Sequence, residues 1–180
     1  MRYSRANTAV NIWTPHHSWW HGLTMTDDPN DIRPGEAATT LPDATDAGIY
    51  FIGRIRTPWA NRRDCPRGGD MADGPVCTLD IDPRWQDALT GLTRHSHLQI
   101  LYWMHQARRD LVIQAPWHSG AGPAGTFALR SPVRPNPIAS SVVTLVGVDG
   151  NKVHVRGLDC LDGTPLVDLK PQRWPTTKET

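Results

Sequence analysis

Residues 49–56 alternate apolar and polar side chains, with Ile49, Phe51 and Ile55 on one face and Tyr50, Arg54 and Arg56 on the other. A period of two predicts a strand whose arginines point away from the core. Residues 76–81 repeat the pattern with Cys77, Leu79 and Ile81 inward. Residues 98–104 form a short, nearly continuous apolar run bracketed by His97 and His105, which reads as a buried strand. Residues 141–148 and 152–156 are two further strands, joined at Asp149-Gly150-Asn151 by a strong hairpin signal. Between the second and third strands, Asp82 followed by Pro83 supplies a capping acid and a proline at the first helical position, predicting a short helix that ends at Gly91. Strands dominate without strand–helix–strand alternation, and no glycine-rich turn leads from a strand into a helix. A doubly wound nucleotide-binding sheet is therefore excluded.

Two stretches between these elements are punctuated differently. Residues 61–75 are rich in glycine and proline, a loop of a length that is unusual unless it serves a function. Residues 130–138 hold three prolines, Pro132, Pro135 and Pro137, which fix φ, remove backbone donors and push their predecessors toward extended geometry. Neither helix nor central strand can form there, so the segment is a stiff, pre-shaped loop. It holds out Arg130 and Arg134 as donor forks suited to a phosphate, a carboxylate or a purine edge.

Composition narrows the class. A chain of 180 residues suits one domain with a real core, and 16 prolines and 15 glycines favour β structure with many turns. The first 48 residues differ from the rest. Residues 1–24 carry Trp13, Trp19, Trp20, His16, His17 and His21 and no acids, and residues 25–48 are polar and turn-rich. Residues 1–48 are thus expected to be a flexible arm, with 1–24 a possible upstream extension before Met25, and 173–180 a C-terminal tail. Neither the arm histidines nor His95 and His97 have matching carboxylates or thiols at ligand spacing, so no metal site is expected. Cys65, Cys77 and Cys160, odd in number and widely spaced, suit reduced thiols. No apolar stretch approaches the roughly 20 residues that span a bilayer, and the expected location is the cytoplasm. A net charge of +1 gives no overall pull on a polyanion. A local patch must serve, and Arg54, Arg56, Arg62, Arg63 and Arg67 lie close together in sequence.

Several segments carry a family resemblance. Phe127-Ala128-Leu129-Arg130-Ser131-Pro132-Val133-Arg134-Pro135-Asn136-Pro137-Ile138, then Gly157-Leu158-Asp159-Cys160-Leu161-Asp162-Gly163-Thr164-Pro165 running into Leu166-Val167-Asp168-Leu169-Lys170-Pro171, resemble the signature of the TsaA-like family. Ile52-Gly53-Arg54-Ile55-Arg56-Thr57-Pro58-Trp59, Cys65-Pro66-Arg67 and Trp103-Met104-His105-Gln106 fit in the same order. The resemblance covers residues 49–172 and includes TrmO, which methylates N6-threonylcarbamoyladenosine in tRNA. It implies a mainly β, single-domain β-barrel of the TsaA-like type with short helices and long loops, binding S-adenosyl-L-methionine as a homodimer.

By the same resemblance, the donor would be held by Arg67, Gly68, Gly69, His105, Gln106, Arg130, Ser140, Asp162, Gly163, Thr164 and Pro165. The substrate, the anticodon loop of a tRNA, would meet Arg134 and Asn136. The acceptor nitrogen lies between a purine and a carbamoyl carbon, so its lone pair is delocalised and needs polarising or deprotonation. His105, Asp168 and Lys170 are the candidates for that work. The chain departs from the family pattern at Leu129, at Ala139-Ser140 and at Gln172, where threonine, Gly-Leu and tyrosine are common. The aromatic stacking lost at position 172 would weaken RNA contact more than donor contact, which leaves a small-metabolite methyltransferase or a non-catalytic donor-binding module as alternatives.

Overall fold

Alternating burial along residues 77–81, 97–103 and 152–156 sets the inward face of a sheet that closes on itself. The structure, a computed structural model, describes residues 31–115 and 122–173, and the barrel belongs to the compact unit that begins at Ile32. The strands are β1 (Ala37–Ala38), β2 (Gly53–Arg56), β3 (Cys77–Ile81), β4 (His97–Trp103), β5 (Leu111–Gln114), β6 (Ala124–Gly125), β7 (Ile138–Asp149), β8 (Lys152–Arg156) and β9 (Pro165–Pro171). β2-β3-β8-β7-β4-β9 form a closed antiparallel barrel, and β1-β5-β6 form a small separate sheet. The mainly β barrel expected from the sequence is the fold observed.

The core is the set of side chains that the period of two turns inward. Ile55, Cys77, Leu79, Ile81, Leu98, Ile100, Tyr102, Val143, Val153, Val155 and Leu166 are all buried. Burying each medium-sized apolar side chain contributes about 1.5–3 kcal/mol, and no barrel strand is left with an open edge over its paired length. The hairpin falls where expected, with Gly150 at φ +56°, although β7 starts three residues before the anticipated residue 141.

Other expectations need correction. β2 begins at Gly53 rather than at residue 49, and Ile49, Tyr50 and Phe51 are exposed. Ile52 donates its N–H to Leu166 and accepts from Asp82, so backbone pairing continues one residue past the strand and then leaves the rim. The expected helix is a 3-10 turn over Pro83–Leu89, capped by Asp82, which accepts from the Arg84 N–H at 3.1 Å. Leu89 is the only buried side chain in that turn, so it has no apolar stripe to hold a longer α-helix. A second 3-10 turn, Leu92–Arg94, follows Gly91 at φ +81°. β9 was not legible as a strand, and neither was the β1-β5-β6 sheet. In β9 proline occupies the first position, where no ladder donor is needed. Within the expected arm, Ala37–Ala38 pairs with β5 and a buried Glu36 carboxylate grips Arg33. Residues 1–30 and 174–180, with the predicted extension and most of the tail, lie outside the described residues.

Candidate functional site

The arginine loop is as stiff as its prolines suggest, and its neighbours add to that. Arg134 donates to the carbonyls of Ser131 (3.0 Å) and Leu129 (2.5 Å), stapling the loop to itself. Buried Gln114 donates to the Val133 carbonyl (2.7 Å) and to Thr126 Oγ1 (2.9 Å), and Thr126 Oγ1 donates to the Leu111 carbonyl (2.6 Å). Arg109 Nε holds the Pro135 carbonyl at 2.6 Å, and the Met104 N–H holds that of Pro137 at 2.8 Å. Arg134 therefore works first as a brace, whereas Arg130 is exposed and reaches the Ser140 carbonyl at 3.4 Å. Asn136 is exposed at the loop's tip.

Register places several candidates on one strip. On the outward face of the sheet, Ser140 of β7, Leu101 of β4 and Asp168 of β9 lie in one row, and Val142, Gln99 and Lys170 lie in the next. Gln99 Nε2 donates to Ser140 Oγ at 3.0 Å, and Lys170 pairs with the Asp168 carboxylate. Arg130, Ser140, Asp168 and Lys170 are thus brought together from three segments, with Gln99 as a member the sequence did not single out. His105 and Gln106 are exposed just past the end of β4.

The Asp162-Gly163 turn serves a different structural end. The N–H groups of Asp162, Gly163 and Thr164 are engaged by the carbonyls of Trp59, Ile55 and Leu161. Thr164 and Pro165 are buried, and Thr164 Oγ1 donates to the Leu161 carbonyl at 2.7 Å. These two shape the turn from beneath. What faces outward is the Asp162 carboxylate, 43% exposed, accepting from the Thr57 N–H at 3.1 Å with Arg56 at 3.7 Å, and the open backbone of Gly163. Gly163 stands at φ +76° with no heavy atom within 4 Å of where a Cβ would be, so a flat ligand can approach it closely.

Arg67, Gly68 and Gly69 lie elsewhere on the barrel, on the long loop. A Cβ on Gly69 would stand 1.7 Å from the Gly157 carbonyl oxygen, so this glycine is required by backbone packing. Gly157, at φ +108°, in turn lies against the Val142 carbonyl, which brings the loop to the edge of β7 two residues from Ser140. Beneath that edge, Tyr102 Oη donates to Asp159 Oδ1 at 3.0 Å and lies 2.9 Å from Ser141 Oγ. Burial pushes the Tyr102 hydroxyl well above its ordinary range, and the Asp159 charge adds to that. Burial also pushes the Cys160 thiol up to about 12. Tyr102 and Asp159 were missed by sequence reasoning. The available signal was a tyrosine in a buried run, because its hydroxyl must find a partner. Among the described residues, no group of three or more His, Cys, Asp or Glu is placed to hold a metal ion. No helix of the described residues is long and apolar enough to cross a membrane.

The donor chemistry expected from the sequence fits these groups in a specific way. A sulfonium and a ribose ask for a carboxylate, hydrogen-bonding side chains and close backbone, and Asp162, Ser140, Arg130 and Gly163 present them. Thr164 and Pro165 are buried, and Gly69 packs against the Gly157 backbone. A closed barrel with a braced arginine loop, rather than a doubly wound sheet, defines the class. The chain matches the model of the tRNA-methyltransferase O N-terminal domain over residues 54–174, and it belongs to that family.

Three comparisons give the scale of the likeness. The chain is 51% identical over 142 residues to the probable S-adenosyl-L-methionine-binding protein VirR of Rhizobium radiobacter, covering 79% of this chain and 80% of VirR. It is 36% identical over 129 residues to the tRNA (adenine(37)-N6)-methyltransferase of Escherichia coli, covering 67% of this chain and 55% of that protein. The crystal structure of TrmO from Pseudomonas aeruginosa superposes with a TM-score of 0.59 at 31% identity, covering 76% of this chain and 60% of the other. The chain therefore spans most of VirR but less than two thirds of the other two.

Proposed function

We propose that this protein is an S-adenosyl-L-methionine-dependent methyltransferase whose substrate is N6-threonylcarbamoyladenosine beside a tRNA anticodon. Family membership and the tRNA-methyltransferase relative support the reaction class. The observation that carries the site is the gathering of Arg130, Ser140, Asp168 and Lys170 on one outward strip, none of them required by the core. The bound donor supplies an electrophilic methyl group for in-line displacement. The chain's own tasks are to align the acceptor, exclude water and receive the acceptor's proton. Asp168, steered by Lys170, is suited to accept that proton, with His105 at the rim as the alternative base. Arg130 is suited to the phosphate or threonyl carboxylate of the substrate. The strip is an open outer surface, and a second copy of the chain laid over it in a cytoplasmic homodimer would exclude water from it. The reading calls for no metal.

A second reading is donor binding without transfer, favoured by VirR, the relative at 51% identity, which is named only as a binding protein. Incubation with methyl-labelled donor and total RNA from a strain lacking the gene, followed by nucleoside mass spectrometry, separates the two. Label in threonylcarbamoyladenosine is the expected result. Donor binding with no labelled nucleoside would reject the tRNA reading and leave donor binding alone or transfer to a small metabolite. Arg130→Ala and Asp162→Ala should each abolish transfer in a folded protein, and full activity in either refutes the site assignment.

A further inference from the structure

A groove of about 470 Å³ lies on the barrel beside the Asp162-Gly163 turn, its lining including Phe51, Arg54, Arg56, Asp80, Asp82 and Pro83. Its floor is the outer face of β2-β3-β8, where Arg54 pairs in register with Asp80, Arg56 with Thr78, Thr78 with His154 and Asp80 with Lys152. Two arginines, Arg54 and Arg56, and two acids, Asp80 and Asp82, line the groove. Asp80 is met by Lys152 at 3.3 Å, and Asp82 at the rim is met by Arg84 at 2.9 Å, so both carboxylates have counter-charges. Arg56 is half exposed, and Arg54 uses one donor on the Gly163 carbonyl at 3.0 Å.

The groove does not stand alone. Phe51, 44% exposed, sits at its mouth with its ring centroid 6.3 Å from that of Trp103, and Arg109 lies 5.5 Å from the Trp103 ring. A line of Arg109, Trp103, Phe51, Arg54 and Arg56 thus runs from the end of β4, beside His105, to the Asp162-Gly163 turn. Aromatic rings interleaved with guanidinium groups are what single-stranded nucleic acid needs, stacking for bases and charge for phosphates. Exposure of Phe51 next to two arginines has no use in the core, because the strand starts only at Gly53. A chain of near-zero net charge must concentrate its cations locally to hold a polyanion.

We infer that this groove is an RNA subsite, with a base stacked on Phe51 and its phosphate held by Arg54 and Arg56, gripping a nucleotide of the anticodon loop other than the one methylated. The inference rests on the tRNA reading above. Its test is fluorescence anisotropy with a labelled anticodon stem-loop RNA, run beside calorimetric titration of the methyl donor. Phe51→Ala, which leaves the Asp162-Gly163 turn untouched, should weaken RNA binding about tenfold, within the range of one lost base stack, and leave donor affinity unchanged. Arg56→Gln should lower the salt dependence of RNA binding by about 0.7 in log–log slope, the value for one phosphate contact on a single strand. RNA affinity within twofold of wild type in both variants, with wild-type methylation intact, would overturn the subsite and leave the proposed function standing. Wild-type protein that binds donor but not the stem-loop would overturn both. Photocrosslinking of wild-type protein to 4-thiouridine-substituted stem-loop adds a readout independent of mutant folding. Crosslinks within residues 51–56 are expected, and crosslinks confined to other segments reject the groove.

Discussion

Gly68 and Gly69 are adjacent, both were expected to touch the methyl donor, and the structure assigns them opposite physical roles. An alanine at 68 meets nothing within 4 Å, whereas at 69 its Cβ would stand 1.7 Å from the Gly157 carbonyl oxygen and 2.2 Å from the carbonyl carbon. Relief requires the two backbones to separate by more than 1 Å. Gly157 cannot retreat, because it is buried at φ +108° between Met71 and the Val142 carbonyl. The long loop must move instead, and its anchors go with it: Thr144 Oγ1 to the Met71 carbonyl at 3.0 Å and Arg156 to the Gly74 carbonyl. Two such hydrogen bonds contribute about 0.5–1.5 kcal/mol each, so Gly69→Ala should cost about 1–3 kcal/mol. In a chain of this size that lowers Tm by roughly 2–12 °C. Gly68→Ala should stay within about 0.5 kcal/mol of wild type. Urea and thermal unfolding measure the cost, and limited proteolysis shows whether cleavage appears within residues 61–75. Wild-type stability and protease resistance in Gly69→Ala, or equal damage from Gly68→Ala, would refute the packing account and return both glycines to the ligand.

Tyr102→Phe removes the donor to the Asp159 carboxylate and the partner of Ser141, and should cost about 1–3 kcal/mol by chemical unfolding while the barrel persists; no measurable change would mean that the network contributes nothing. Arg134→Gln deletes the brace to Leu129 and Ser131, so donor affinity measured by calorimetry should fall although Arg130 is intact, and unchanged affinity would show that the prolines alone fix the loop. Cys160 and Tyr102 stay protonated in the folded chain at pH values where the unfolded chain ionises them, since burial raises both. Their stabilisation is complete below about pH 9 and is lost as pH rises from there toward 12, so Tm should decline over that range, and a flat profile to pH 11 would contradict it. On the acid side, burial works against ionisation of Glu36 but the hydrogen bonds from Arg33 outweigh it, and Arg108 lowers Asp110. Both carboxylates stabilise the fold above about pH 4.5 and cease to do so as pH falls through their lowered values, which the same Tm series will register.

How far the sequence reached can be read from particular residues. Alternation in residues 76–81, the apolar run of residues 98–104 and the turn at Asp149-Gly150-Asn151 depend on neighbours a few positions apart, so β3, β4 and the β7–β8 hairpin were legible, as was the rigid proline loop. The family motifs likewise named Arg130, Ser140 and Asp168 before their register was known. β9 was not legible, because its identity as the closing strand depends on pairing with β2 and β4, which precede it by roughly 65 to 110 residues in the chain. The roles of motif residues were also undecided by sequence. Gly69, expected at the donor, packs its backbone against Gly157, Arg134, expected as a held-out fork, is engaged as a brace, and Thr164, expected at the donor, is buried. The sequence by itself determined local periodicity, turn chemistry and where conformational freedom is withheld, since these are properties of bonded neighbours. Only the tertiary structure decided which polar groups are already engaged and which remain open to a ligand, because a hydrogen bond is allotted by distance in space rather than by distance along the chain.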